Sequence, residues 1–142
     1  MILSGHRDRV AEWVASRIRD MGAPPTRDYE AIGVLKGGEL IGGVIYSEYR
    51  EIAPGHHDMR MHCAGEPGWL TRASLRALFG YPFNQLGCCR VTATVNRSNK
   101  RALDMNRRLG FCIEGCIRDG YGPGRDGLLL GMLRRECRWI GE

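Results

Sequence analysis

The chain has 142 residues and a formal net charge of +5 at neutral pH. This length predicts one domain, residues 1–142, which buries about 68–70% of its unfolded surface and therefore needs no covalent staples. No apolar stretch approaches the roughly 18 residues of a transmembrane helix, and the first ten residues lack the apolar centre of a signal peptide. The sequence therefore predicts a cytoplasmic protein with no membrane partner.

Arginine carries almost all of the positive charge, because Lys36 and Lys100 are the only lysines. The arginines are scattered along the chain and do not alternate with aromatic residues, so a nucleic-acid partner is not expected. Two interpretations of the charge stay open. It serves an anionic partner, or it reflects the arginine-rich codon usage of a GC-rich genome.

The six cysteines include no C-x-x-C pair. Cys112 and Cys116 fall on a predicted strand, where their spacing places them on one face about 13 Å apart, too far for a disulfide. We expect free, buried thiols and no zinc site. The group formed by His56–Asp58 and His62 contains metal-ligand residue types, but a solvated loop before a strand is the better interpretation.

Helical and strand periodicities alternate along the first half of the chain. An amphipathic helix is predicted over residues 7–21, ended by the glycine and prolines of residues 22–25. A β-hairpin is predicted over 29–49 around a Gly-Gly turn, with a loop over 50–57. Residues 58–63 alternate as a strand.

The second half begins with a helix from about Thr71, which Pro82 should kink or end near Gly80. The segment Arg90 to Gly115 follows and is the most informative part of the chain. It predicts a strand, a short helix with Asn99 as its N-cap, a left-handed C-cap at Gly110 and a new strand. A buried strand is predicted within residues 126–137.

The segment from Arg90 resembles the last conserved block of the GNAT superfamily, the acetyl-CoA-dependent N-acetyltransferases. The features that carry the resemblance occur in the family's order: Asn99, Ala102, Leu109-Gly110-Phe111, Glu114-Gly115 and Arg118. It covers about residues 28–139, and the C-terminal third is similar to short bacterial and phage-borne members. The resemblance implies an α/β (α+β) fold, with a mixed, mostly antiparallel central sheet flanked by helices on both faces. The family's first strand should be shortened or missing.

The resemblance implies transfer of acetyl from acetyl-CoA to an amine through a tetrahedral intermediate. A lysine-like amine has a pKa near 10.4, so its deprotonation at pH 7 costs about 4.6 kcal/mol and a base is usual. The candidate bases are His62, Glu66 and Glu48, of which His62 has the best intrinsic pKa. A backbone amide of the fourth strand stabilises the oxyanion in this family, and Cys63 and Ala64 are the cofactor-contacting positions implied on that strand.

The loop that binds the CoA pyrophosphate in this family departs from its usual form, Q/R-x-x-G-x-G/A. Glu66 stands where Arg or Gln is usual, and Trp69 and Thr71 replace the two glycines. An unmodified loop offers free amides and a helix dipole to an anion. The candidate cofactor-binding residues here are Gly68, Trp69, Leu70, Thr71 and Arg72. The alternative is a helix-entry loop with Thr71 as its N-cap.

The last helix also departs from the family's pattern. Many members carry a Tyr as general acid seven residues after the capping Asn, and this chain has Asn106 there. Asn106 is kept as a catalytic position, although it donates a hydrogen bond without giving up a proton usefully. Tyr121 is a remote alternative that nothing in the sequence places nearby. Asn99, Ala102 and Arg107 are the helix positions implied to contact the cofactor.

The two departures support an alternative function, a catalytically inactive GNAT-fold binding or assembly module. The amine acceptor is not predictable from the sequence, because acceptor specificity in this fold varies with the first helix, the hairpin and the last strands. A homodimer is consistent with the family's habit. No metal is expected.

Overall fold

The computed structural model describes residues 1–141, which form a seven-stranded sheet flanked by three α-helices. The strands are β1 (Ile2–Leu3), β2 (Tyr29–Lys36), β3 (Glu39–Ala53), β4 (His56–Gly65), β5 (Arg90–Asn96), β6 (Cys112–Ile117) and β7 (Gly127–Leu133). The helices are α1 (Arg7–Arg17), α2 (Arg72–Gly80) and α3 (Lys100–Leu109). Within residues 1–141, no helix is long and apolar enough to span a bilayer.

The strand order is β1-β2-β3-β4-β5-β7-β6, and only the β4–β5 pair is parallel. This confirms the predicted mixed, mostly antiparallel sheet. The first strand has two residues, so its predicted shortening is also confirmed. Because β4 and β5 are parallel, both end at the same edge of the sheet, and the helices that follow them, α2 and α3, begin there.

Helices cover both faces of the sheet, as predicted. On one face, Val10 and Val14 of α1 pack with Ala31 and Ile45 of the sheet. The larger core lies on the other face, where α2 and α3 contribute Phe79 and Leu109 among others. Helix α1 ends at Arg17 instead of the predicted residue 21, because residues 18–21 form a turn in which the Met21 amide donates to the Ile18 carbonyl.

The predicted loop over residues 50–57 is wrong. Strand β3 continues to Ala53, and β4 starts at His56 after a turn in which Gly55 has φ of +78°. The two strands form a ribbon that projects past the end of β2, so most of its residues are exposed on both sides. Without a buried face, the ribbon lacks the apolar alternation that identifies a strand.

The proline-containing segment behaves as predicted. Helix α2 ends at Gly80, and residues Tyr81–Gln85 form a π-helical turn in which the Leu86 amide donates to the Tyr81 carbonyl. Pro82 has no N–H for the regular ladder, so the wider turn replaces it. At the other end of the chain, β7 stops at Leu133 and a 3₁₀ turn follows, four residues before the predicted end of the strand.

The predictions for the β6 cysteines are wrong in two respects. Cys112 lies opposite Gly131, whereas Cys116 lies opposite Leu128, with a register shift between them. The bulge places the two thiols on opposite faces of the sheet, since a one-residue slip reverses side-chain direction. Both thiols are exposed instead of buried, whereas Cys88 is buried, and all six cysteines are free.

Candidate active site

The parallel strands β4 and β5 are paired at three positions and then separate. The paired positions are Asp58 with Arg90, Met59 with Val91 and Arg60 with Thr92. Beyond them, residues 62–65 of β4 are paired in the sheet only with β3, and residues 94–95 of β5 only with β7. The facing edges of the two strands therefore have unpaired backbone groups, and a cavity of about 620 Å³ opens between them.

A buried polar cluster holds the two strands together where the pairing ends. The Thr92 hydroxyl donates to the Asp58 carboxylate at 2.9 Å, and the Arg90 guanidinium lies 3.5 Å from it. Asp58 is 4% exposed. One step further, the Arg60 guanidinium donates to the Thr94 hydroxyl across the widening gap at 2.7 Å. These contacts join the strands below the cavity and leave the upper ends apart.

Most of the residues implied by the resemblance meet in this cavity. Its lining includes His62, Cys63, Ala64, Glu66, Gly68, Trp69, Leu70, Asn99, Ala102 and Asn106. Thr71, Arg72 and Arg107 lie outside the lining. The structure thus brings together residues from β4, the β4–α2 loop and α3, and the chemical role of each stays a prediction.

The arginines that line the cavity on α3 are Arg101 and Arg108. They are seven residues apart and share a helix face with Met105, whereas Arg107 points about 100° away from Arg108. Within residues 1–141, neither guanidinium is paired with a carboxylate, although Arg138 contacts the Arg108 carbonyl. The face of α3 that meets the cavity therefore carries Arg108, and the adjacent Arg107 lies outside it.

Trp69, in the β4–α2 loop, fills the space left by two glycines in the neighbouring strands. Its ring packs on the backbone of Gly42 and Gly65, where an added Cβ would lie 2.2 Å and 2.3 Å from ring atoms. Trp69 is 5% exposed. The glycines in β3 and at the end of β4 therefore allow close approach of the indole, and sequence reasoning missed this, although glycine within a strand is a signal for such contact.

The N-terminus of α2 is closed by a capping box. The Ser74 amide donates to Thr71 Oγ1 at 3.1 Å, and the Thr71 amide donates to Ser74 Oγ at 2.7 Å. This confirms Thr71 as the N-cap. The amides of Arg72 and Ala73 are left without intrahelical acceptors, so fewer free N–H groups face an anion than at an uncapped helix start.

The N-terminus of α3 follows the sequence prediction closely. Asn99 Oδ1 accepts the Ala102 amide at 3.2 Å, and Gly110 adopts a left-handed conformation with φ of +115°. Asn106 is buried, and its Nδ2 donates to the Ala102 carbonyl at 2.8 Å. The small Ala102 side chain lies between these two asparagines on the cavity wall.

Glu66, at the mouth of the cavity, is next to a positive charge. Arg17 lies 3.5 Å from the Glu66 carboxylate and stacks on the Trp13 ring, with its guanidinium carbon 3.8 Å from the ring centroid. Both members of the ion pair are substantially exposed, so their interaction is weak. The negative charge that replaces the family's usual Arg or Gln is partly balanced by Arg17.

His62 has the environment of a neutral imidazole. Burial lowers its pKa, the nearby Arg60 lowers it further, and Glu48 raises it. The ring lies 3.3 Å from the Ser47 hydroxyl. Glu48 itself is exposed, has φ of +53° and pairs with the Arg60 guanidinium at 3.2 Å. Of these groups, His62 is the one that lines the cavity in its base form at neutral pH.

Tyr121 and Asp20 also line the cavity, brought there by the loops before β7 and after α1. Asp20 accepts from Arg125 at 2.5 Å and from Asn96 at 3.2 Å, and the Arg125 hydrogen bond lowers its pKa. Burial and the Asp20 charge raise the pKa of Tyr121. Sequence reasoning left Tyr121 unplaced because only the tertiary fold brings its loop to the cavity.

No group of three or more His, Cys, Asp or Glu side chains in residues 1–141 is arranged to hold a metal ion. His56 and His57, expected in a loop, are part of β4 instead. Asp58 is buried against Thr92 and Arg90, whereas His56 is exposed.

The fold is shared with solved acetyltransferases. A probable acetyltransferase is 24% identical over 78% of this chain and 64% of its own, with a TM-score of 0.58. The ribosomal-protein-S5-alanine acetyltransferase of Vibrio fischeri is 18% identical over 78% and 64%, with a TM-score of 0.61. A chimera of the Vibrio cholerae spermidine N-acetyltransferase SpeG and hSSAT is 15% identical over 100% and 99%, with a TM-score of 0.70.

These similarities identify the fold as that of the GNAT-type acetyltransferases. The chain spans about 64% of the length of the first two structures. No protein-family model matched the chain, and no curated protein sequence did so either.

Proposed function

We propose that the protein is an acetyl-CoA-dependent N-acetyltransferase, which moves an acetyl group from the thioester to an amine. The observation that carries the proposal is the gap between β4 and β5. Along its two edges, residues 62–65 and 94–95, backbone N–H and C=O groups outside the β4–β5 pairing face a cavity of about 620 Å³. Such edges suit an extended chain that contains amides, as the pantetheine arm of CoA does, because buried backbone groups need partners.

The residues around the gap fit such a ligand. Ala102 leaves room on the α3 side, and Asn99 is at the mouth beside it. For the phosphates, the lining offers Arg101. The free amides of Arg72 and Ala73, at the start of α2, lie outside the lining and are further donors for an anion that extends beyond it. Glu66 opposes an anion, and its pairing with Arg17 reduces that opposition. The pyrophosphate contact would therefore rest more on side chains than it does in the family's glycine-rich loop.

His62 is the residue to which we assign the base. Its lowered pKa keeps the imidazole neutral at pH 7, so it is able to accept the proton that the amine must lose, directly or through one water. A free amide on the β5-facing edge of Met61–Gly65 would donate to the oxyanion of the tetrahedral intermediate. These assignments use groups that line one cavity.

Tyr121 is the candidate donor for the leaving thiolate. Asn106 uses its Nδ2 in a bond to the Ala102 carbonyl, and an amide does not release a proton usefully. Tyr121 is the one phenol in the described lining of this cavity, and its raised pKa keeps it protonated at neutral pH. A Tyr121→Phe variant should therefore lower kcat while leaving acetyl-CoA affinity within about two-fold.

A substitution that narrows the cavity tests the proposal. Ala102→Leu adds a branched side chain to the wall and should weaken acetyl-CoA binding by at least about ten-fold, or about 1.4 kcal/mol. Ala53→Leu, at the exposed end of β3, is the matched control and should bind as the unaltered protein does. Binding is measured by calorimetry, transfer by release of free thiol, and folding by thermal melting. Equal affinity in both variants, with both folded, would contradict the proposed site.

A further inference from the structure

A second cavity, of about 720 Å³, lies where β2 begins and β3 continues past it. Its wall includes residues 25–30 before and within β2, residues 46–49 of β3, and Tyr81 and Leu86 beside α2. His62 lines this cavity and the β4–β5 cavity, so the two spaces meet at the imidazole. A molecule in the second cavity is therefore able to reach the assigned base without entering the cofactor gap.

The charged lining of the second cavity is opposite in sign to the chain as a whole. Three carboxylates, Asp28, Glu30 and Glu48, line it, together with one guanidinium, that of Arg27. The whole chain carries a net charge of +5. A local excess of negative charge on a basic protein favours a cation at this position.

Aromatic rings form much of the remaining wall. Four of the chain's five tyrosines line the cavity, namely Tyr29, Tyr46, Tyr49 and Tyr81. Tyr46 and Tyr81 pack edge to face with their centroids 4.9 Å apart, and the charge of Glu30 contributes to the raised pKa of both phenols. Tyrosine faces attract alkylammonium groups, and the rings also accept the methylene chain between such groups. Arg7 already lies over the Tyr29 ring and His57 stacks on the Tyr49 ring, so one face of each of these two rings is occupied.

Two of the three carboxylates in the lining already have partners within the protein. Glu48 pairs with Arg60, and one Glu30 oxygen accepts the Ala31 amide. A hydrogen bond to a backbone amide leaves the Glu30 charge in place. Asp28 is exposed at the rim, and Arg27 is exposed beside it. Glu30, which is half-buried, is therefore the carboxylate with the strongest expected effect on a ligand.

We infer that the second cavity binds the amine acceptor, and that this acceptor is a linear alkylamine with a second positive charge in place of a carboxylate. One amino group would lie at His62, and the second among Glu30, Asp28 and the tyrosine rings. The inference rests on the proposed function for the identity of the reaction. The charge preference of the cavity is independent of it and is measurable as binding.

Three probes of similar length separate charge from shape: 1,4-diaminobutane, 4-aminobutanamide and 4-aminobutanoate. They share one primary amine and differ in whether the far end is positive, neutral or negative. Calorimetric titration should rank their affinities in that order, with the diamine at least about ten-fold tighter than the carboxylate. The same order should hold for kcat/KM with acetyl-CoA present.

Glu30→Gln keeps the hydrogen-bond acceptor for the Ala31 amide and removes the charge. It should weaken diamine binding about five-fold and leave binding of 4-aminobutanamide within about two-fold. Asp28→Asn, at the exposed rim, should weaken diamine binding about two-fold. Glu39→Gln, at the exposed start of β3 outside the cavity, is the matched control and should change the binding of neither probe.

The results distinguish failure of the inference from failure of the proposed function. If 4-aminobutanoate binds as well as the diamine, or Glu30→Gln and Glu39→Gln bind it equally, the charge preference is wrong whatever acetyl-CoA does. If the diamine binds in the predicted order while acetyl-CoA does not bind, the cation site is retained and the transferase assignment fails.

Discussion

Two strand-to-helix junctions lie side by side at one edge of the sheet, and they differ in what they leave available to a ligand. The junction between β5 and α3 has the features of the family, with Asn99 as cap and Ala102 behind it. The junction between β4 and α2 is capped equally well by Thr71. There, however, the Trp69 ring fills the space beside the glycines, and the amides of Thr71 and Ser74 are used in the capping box. Both helices are therefore capped, whereas anion binding depends on the backbone N–H groups that capping and packing leave free.

Trp69→Ala should produce the largest loss of stability, because it removes the side chain that fills the β4–α2 junction. The indole packs on the backbones of Gly42 and Gly65, so its removal leaves a cavity there. We expect the free energy of unfolding to fall by about 4 kcal/mol, measured by urea denaturation.

Trp13→Ala is the control for this experiment. Trp13 is half-buried and stacks with Arg17, so its loss should cost clearly less than that of Trp69. A Trp69→Ala cost below about 1 kcal/mol would mean that the indole does not hold the loop in this conformation.

The two caps differ in their expected effect on cofactor binding. Asn99→Ala and Thr71→Ala should each lower the free energy of unfolding by about 1 kcal/mol, since each removes an N-cap acceptor. Only Asn99→Ala is expected to weaken acetyl-CoA binding by about five-fold, the effect of one lost hydrogen bond. Equal losses of affinity in both variants would mean that Asn99 acts only as a cap.

Thr71→Gly sharpens the comparison further, because it frees the Ser74 amide while costing only a few tenths of a kcal/mol as a cap. We expect acetyl-CoA to bind about three-fold more tightly, measured by calorimetry, since one more N–H group faces the phosphates. Weaker binding would show that the Thr71 hydroxyl itself contacts the phosphate, as one interpretation of the sequence holds.

His62 should make the free energy of unfolding depend on pH. Its folded-state pKa lies below the ordinary value of 6.5, so the unfolded chain binds the proton more readily. The contribution of His62 to the free energy of unfolding should be fully present above about pH 6.5 and should be lost as the pH drops through 6.5 toward the folded-state pKa. His62→Asn should reduce this slope, measured by denaturation of both proteins across the pH range.

Local signals in the sequence predicted most of the helices and strands. Asn99 and Gly110 bound α3, Pro82 ends α2 near Gly80, and the Gly-Gly turn joins β2 to β3. Each of these depends on a few adjacent residues, so the sequence is enough to predict it. The ribbon of β3 and β4 escaped prediction because its pairing is not accompanied by burial.

The features of the site that sequence reasoning did not find depend on distant parts of the chain. Trp69 meets Gly42 of β3, and Tyr121 reaches the cavity from the loop before β7. The resemblance located the β4 and α3 walls of the cavity, and the tertiary fold determined which neighbouring side chains face it.

Calorimetric titration of the unaltered protein with acetyl-CoA tests the central claim most directly, because the gap between β4 and β5 is the feature on which the function rests. We expect acetyl-CoA to bind in the micromolar range and to raise the melting temperature of the protein. Absence of binding at millimolar acetyl-CoA would contradict it, and would favour a GNAT-fold module that serves binding or assembly without transfer.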